Sequence, residues 1–310
     1  MPLDSQKCCK DRRLSIDLIK TISIIAVVLY HLGILKYGYL GVEAFFLISG
    51  YNFIYKTENS WNGIGNYLLG LIKNFYPSIL AVCIVSLILG AFVFPIYYKT
   101  ISYNIIAALP LMSNLVNVLR GTDYWNTSNV YNPIMHLWYI CVLIHSLAFL
   151  AVLKAVLKSE KKMIIALAVI SAVSLALCFI TSMPEYARFY LMPFRLYEIC
   201  LGGLLAYLNR NIVPSIKRIY RYPVYVLYAA LLFVFIFGIK IGSNILNIVV
   251  LLIAAAILRY DAAEYSKSNK MLWIVGYLGR ASYYIYIWHQ AVFYSSSYSA
   301  FQGLIFLQRL

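Results

Sequence analysis

Residues 14–35 read LSIDLIKTISIIAVVLYHLGIL. About 20 apolar residues of α-helix suffice to cross the hydrocarbon core of a bilayer, and this run is long enough. It is not purely apolar, because Asp17, Lys20 and His31 stand inside it. Although it follows a basic stretch, it has no small-residue cleavage site, so it reads as a retained spanning helix and not a leader peptide. Ionisable groups within a spanning helix are costly, and each one asks for a reason.

The same kind of run recurs along the chain. Apolar segments at 39–55, 67–97, 134–153, 163–180, 191–208, 223–240, 244–259 and 272–294 follow the first. They predict an all-α polytopic membrane protein, a bundle of about nine to ten transmembrane helices with no soluble domain. The 67–97 run is longer than one crossing needs, so it is tilted, kinked near Pro77 or extended past the membrane. Composition agrees: 63% hydrophobic and only 12% charged residues lie far from soluble globular usage. The whole chain, 1–310, reads as one membrane domain with a basic tail at 1–13. No internal repeat is visible.

The net charge of +15 does not point to nucleic acid. The cations cluster at the ends of apolar runs: Lys7, Lys10, Arg12 and Arg13, then Lys154, Lys158, Lys161 and Lys162, then Arg210, Lys217, Arg218 and Arg221, then Lys267 and Lys270. Cytoplasmic loops are enriched in Lys and Arg in this way. The stretch 101–119 is apolar but carries Pro110, Ser113, Asn114 and Asn117. If it spanned, the basic loops after it would fall on the outer side. The charges therefore predict nine spans, a cytoplasmic N-terminus, and 98–133 as an outer re-entrant or surface segment containing Asp123, Tyr124, Trp125 and Asn126.

Chemistry concentrates on the first helix. Lys20 and His31 are eleven residues apart, which places them within roughly 20° of one face and about 16 Å apart along the axis. Arg13 continues the line, and Asp17 is close enough to Lys20 to pair with it. A Lys supplies a point charge suited to phosphate. A His titrates near neutrality and can take a proton from a hydroxyl. The stripe therefore suits a long anionic thioester donor such as acyl-CoA, with Lys20 as phosphate anchor and His31 as base. Snorkelling of a lone Lys and an interior contact of a lone His are the plain alternatives.

Cys83, Cys141, Cys178 and Cys200 fall inside apolar runs, and no Cys/His ligand spacing occurs, so no metal site is predicted. The abundant Tyr residues reflect interfacial anchoring in part.

Five elements resemble the acyltransferase 3 family of bacterial membrane-bound O-acyltransferases. Asp17-Leu-Ile-Lys20, ten residues and His31 match the family's D-x-x-R/K start and its R/K-x10-H hallmark. GYLGVEAFFLISGYNF at 38–53 is similar to its G-V-D/E-x-F-F-x-x-S-G helix, with Glu43, Ser49 and Gly50 in register. His136-Leu-Trp138-Tyr139 resembles its H-x-W element, and RLYEICLGGLLA, with Arg195, Glu198 and Gly202, its R-x-x-E-x-x-x-G helix. SYYIYIWHQ, with Tyr286, Trp288 and His289, resembles its closing segment.

The resemblance implies transfer of an acyl group, usually acetyl, from acyl-CoA to a hydroxyl of a carbohydrate, either an envelope polysaccharide or a lipid-linked sugar. His31 is then the essential base, and Glu43 orients it or pairs with Lys20, unless Glu43 makes a purely structural ion pair. The donor would be held by Lys20 with Arg13 and Asp17. Arg195 either faces the donor phosphates, held by Glu198, or simply neutralises it. His136, Trp138, Tyr286 and His289 are expected on the acceptor side, and Ser49-Gly50 permits close helix contact instead of supplying a nucleophile.

There are departures. The basic R-x-x-R-x-x-P stretch of relatives is reduced to Lys73-Asn74-Phe75-Tyr76-Pro77, which leaves Lys73 for that stretch's share of donor binding, and the glutamates that often follow H-x-W are Leu143 and Ile144. Relatives commonly carry a further hydrophobic helix beyond the closing segment. Direct attack on the thioester and a transient acyl-His31 both fit the pattern. A transporter of a polysaccharide intermediate or small solute is the competing class, because buried ionisable groups also mark transport paths.

Overall fold

The computed structural model describes residues 14–57, 61–124, 132–210, 221–238, 242–260 and 270–307, and among these it contains no strand. In chain order the helices are α1 (Leu14–His31), α2 (Gly41–Lys56), α3 (Trp61–Phe92), α4 (Tyr98–Ala108), α5 (Ser113–Leu119) and α6 (Trp138–Leu157). They continue with α7 (Glu160–Ile180), α8 (Glu185–Tyr190), α9 (Leu196–Arg210), α10 (Arg221–Phe237), α11 (Ser243–Tyr260) and α12 (Lys270–Leu307). Each apolar segment expected to span coincides with a helix.

Five segments among the described residues are long and apolar enough to cross a membrane: Leu14–His31, Gly63–Phe92, Met135–Leu157, Glu160–Ile180 and Ser243–Tyr260. Helices α2, α9 and α10, with 16, 15 and 17 residues, rise about 22–26 Å. That is short of the roughly 30 Å hydrocarbon core. Helix α3 has 32 residues and holds Pro77 inside it. At about 48 Å it is longer than one perpendicular crossing. On α7, Ile165, Val169 and Val173 recur four residues apart and are each more than half exposed. An outward apolar ridge of this kind belongs against lipid tails and not water. The chain is an all-α, multi-pass membrane protein.

Segment 98–124 contains two short helices, α4 and α5, of 11 and 7 residues. Neither is long enough to span. The break between them passes through Pro110 and through Leu111, whose φ is +62°. Trp125 and Asn126 lie outside the described residues.

Backbone proximity divides the chain into two compact units, Met1–Ile48 with Leu208–Tyr283, and Ser49–Tyr207 with Tyr284–Leu310. A single domain is the sequence expectation. No linker marks the division, because its boundaries fall inside α2, α9 and α12. In the first unit, a Cβ at Gly38 or Gly41 would overlap the carbonyl oxygens of Ala26 or Ser23, so α1 meets the start of α2 backbone to backbone. In the second unit, Gly50 lies equally close to the Ile199 backbone, the helix contact expected at Ser49-Gly50. The same unit buries a cation that the loop charges disguise. Lys154 is 2% exposed. Its Nζ donates to Thr57 O at 2.6 Å and Thr57 Oγ1 at 2.7 Å, and it stands 5.7 Å from the Phe53 ring centroid.

Thr57 follows the last residue of α2, where helix carbonyls lack internal partners and the dipole favours a cation. Lys154 is therefore a helix-end clamp. Lys154→Met is expected to cost about 2–3 kcal/mol of stability through lost charged hydrogen bonds. A clear fall in the melting temperature of the detergent-solubilised protein checks this; an unchanged temperature denies the clamp.

Candidate functional site

Helix α1 carries the Lys20–His31 stripe between buried neighbours. Lys20 and His31 are both half-buried. On a helical wheel Ile24 and Val27 fall within about 40° of them, and both are buried, at 1% and 2% exposed. Ile25, roughly 140° away, is 45% exposed. The stripe thus shares the buried side of α1, and the outward apolar side is elsewhere. The His31 ring meets Tyr30 edge-on at 5.1 Å, and Tyr30 meets Tyr39 at 5.5 Å. Glu43 is 2% exposed in the first turn of α2, where a helix N-terminus favours a carboxylate. Arg13 lies outside the described residues.

The N-terminal end of this stripe is built against α12. A Cβ at Gly279 would overlap the Asp17 carbonyl, so only Gly allows the two helices to approach there. Thr21 Oγ1 lies 2.6 Å from Val275 O and 2.9 Å from Asp17 O, within donating distance of both. Asp17 is 1% exposed. Its Oδ2 is 3.8 Å from Arg280 Nη1, and that guanidinium lies 5.7 Å from the Tyr277 ring centroid. Arg280 is a cation the motif reading missed, although an Arg in a spanning run is itself a signal. Asp17 thus holds Arg280 against α1, three residues before Lys20.

In the second unit His136, Tyr286, His289 and Gln290 form one buried group. His136 Nε2 is 3.0 Å from Ile287 O and Nδ1 is 3.0 Å from Gln290 Oε1. A carbonyl accepts only, so Nε2 carries hydrogen and the ring orientation is fixed. Tyr286 OH donates to His136 O at 2.9 Å, and His289 Nδ1 donates to Tyr286 O at 2.6 Å. The His136 ring stands 5.0 Å from His289 and 5.2 Å from Tyr286. With both nitrogens engaged inside the protein, His136 anchors the start of α6 to α12. Gln290 was missed in the sequence, although a polar side chain ends the quoted closing motif.

Arg195 and Glu198 pair at 2.8 Å with side chains 5% and 0% exposed. Arg195 Nε donates to Phe189 O at 3.1 Å. The guanidinium sits over Phe189 at 4.9 Å and Trp138 at 5.8 Å. The structure thus gathers Arg195 and Glu198 with Trp138, a residue expected on the acceptor side. Lys73 is exposed on α3, with Leu69 and Ile72 of the same helix exposed as well. Among the described residues no group of three or more His, Cys, Asp or Glu is arranged to hold a metal.

Residues 13–307 match a family described as an acyltransferase domain, the acyltransferase 3 family. The chain belongs to that family. It is 25% identical over 308 residues to a peptidoglycan O-acetyltransferase, OatA, of Listeria monocytogenes, covering 90% of this chain and 49% of the relative. It is 25% identical over 309 residues to a putative O-acetyltransferase of Staphylococcus aureus strain COL, covering 89% and 50%. A putative membrane-bound transacylase, BcsY, of Komagataeibacter xylinus is 25% identical over 233 residues, covering 72% of this chain and 59% of the relative. The chain thus spans about half the length of the first two relatives. No solved structure matches it.

Proposed function

We propose that this acyltransferase-family chain moves an acetyl group from acetyl-CoA to a hydroxyl of a cell-envelope carbohydrate. Peptidoglycan, which the Listeria relative is named for, is the first acceptor to try. The observation that carries the reading is the α1 stripe, a half-buried cation and a half-buried imidazole on the buried side of a membrane-crossing helix. Lys20 and Arg280, with Asp17 orienting the guanidinium, would bind the donor's phosphates. Arg13 would extend that anchor.

His31 takes the proton of the acceptor hydroxyl as its oxygen attacks the thioester carbonyl. The carbon–sulfur bond breaks, and the thiolate leaves with the proton that the imidazolium returns. Glu43 supports the imidazolium electrostatically. On this reading the N-terminus is cytoplasmic, where acyl-CoA is found. Nine helices cross the membrane, with the bilayer thinned around the short α2, α9 and α10, and 98–133 is an outer re-entrant element.

The test is label transfer from radiolabelled acetyl-CoA to a glycan by the purified protein in lipid. Lys20→Gln is expected to raise the donor KM about 10-fold or more, the loss of one charge-assisted phosphate contact. Lys20→Arg should retain most of the affinity. A donor KM unmoved by Lys20→Gln would remove Lys20 from the donor site.

A further inference from the structure

Helix α5 is built inside out. Its polar residues Ser113, Asn114 and Asn117 are buried, while Leu115 and Leu119 are 39% and 85% exposed. A helix lying on a protein surface in water has the opposite arrangement. In lipid the arrangement makes sense if the polar face looks into a polar interior. That interior belongs to the second unit. Asn114 Nδ2 donates to Tyr190 O at 3.3 Å, and the Tyr190 ring meets Trp138 at 5.5 Å.

Four side-chain atoms in this group are fully buried and have no hydrogen-bonding partner: Asn114 Oδ1, Asn117 Nδ2, Trp138 Nε1 and Tyr190 OH. Their residues are 0–4% exposed. Each such atom costs about 1–3 kcal/mol, and these four gather on three adjoining elements, α5, α6 and α8. They comprise two N–H donors, one carbonyl acceptor and one hydroxyl that does both. At the exposed end of the group, half-buried Tyr124 and Phe189 stack on the same elements. Tyr124 lies 6.1 Å from Trp138, and Phe189 lies 4.4 Å from Trp138 and 4.9 Å from Tyr124.

We infer that Asn114, Asn117, Trp138 and Tyr190 form the subsite that receives the hydroxyls of the acceptor sugar. A pyranose hydroxyl both donates and accepts, which matches the mixed set, and the C–H faces of a sugar ring stack on aromatic rings such as those at the exposed end. This deepens the proposed function and rests on it. The ligand class is a hydroxyl-bearing sugar ring, free in a glycan strand or linked to a polyprenyl lipid.

The isosteric change Tyr190→Phe removes one oxygen, and Asn117→Leu removes one amide. A buried polar atom without a partner is a burden to the fold, so a purely structural role predicts unchanged or raised stability and an unchanged acceptor KM. The subsite predicts that each change raises acceptor KM about 10-fold, one hydrogen bond's worth, with donor KM unchanged. The measurement uses the full chain in lipid nanodiscs with acetyl-CoA and two acceptors, a soluble N-acetylglucosamine oligosaccharide and its polyprenyl-diphosphate-linked form. A KM rise confined to one acceptor identifies the source of the sugar. Wild-type protein that transfers label while both variants keep its acceptor KM overturns the subsite alone. Wild-type protein that transfers to neither overturns the proposed function and the subsite with it.

Discussion

Replacing His31 by Ala is expected to lower acetyl transfer by about 10²–10⁴-fold, the range that a positioned general base contributes, while the protein still inserts and folds. Fold retention is expected because His31 is the last residue of α1 and only half-buried. The α1–α2 contact rests instead on Gly38 and Gly41 against the backbone of α1. Turnover in lipid, with circular dichroism and melting temperature beside it, checks the result. Quenching with label but no acceptor separates the two routes: an acyl-His31 intermediate leaves label on the protein, and direct attack leaves none. Activity within a few-fold of wild type would remove the base from the scheme.

The largest stability effect is expected at Arg195. Arg195→Met takes the guanidinium from Glu198, a carboxylate 0% exposed and 2.8 Å from it. Breaking one side of a buried ion pair costs about 3–5 kcal/mol. The same change removes the planar cation that packs on Phe189 and Trp138. Arg195→Met with Glu198→Leu should recover much of the loss, because two apolar side chains leave no charge to desolvate. Thermal unfolding of the single and double variants measures it. If acceptor affinity falls in the double variant while stability returns, Arg195 also meets the sugar. A single variant as stable as wild type would deny the pair any structural weight.

Helices were the legible part of the fold. Long apolar runs bounded by basic clusters fix where α1, α3, α6, α7 and α11 lie, because the bilayer enforces length and hydropathy together. The pairing of Arg195 with Glu198 was legible too, since three residues along a helix brings side chains together. Its neighbourhood was not, because contact with Phe189 and Trp138 depends on tertiary packing. The clamp role of Lys154 was hidden for a similar reason: beside Lys158, Lys161 and Lys162 it looks like a loop cation, and only the end of α2 makes it a buried donor. Asn114 and Asn117 argued against a spanning segment, but nothing local says that a seven-residue helix turns its polar face inward. Arg280 carried a signal that went unused, an Arg beside the closing motif within an apolar run. The division into two units had no signature, because its boundaries fall inside continuous helices.

A structure of the protein with a non-hydrolysable acetyl-CoA analogue in lipid is the most direct measurement. The account predicts the donor phosphates on Lys20 and Arg280, and the thioester carbon within about 3–4 Å of the His31 imidazole or one hydroxyl away from it. A donor bound elsewhere, with His31 turned into the acyl tails of the bilayer, would contradict it.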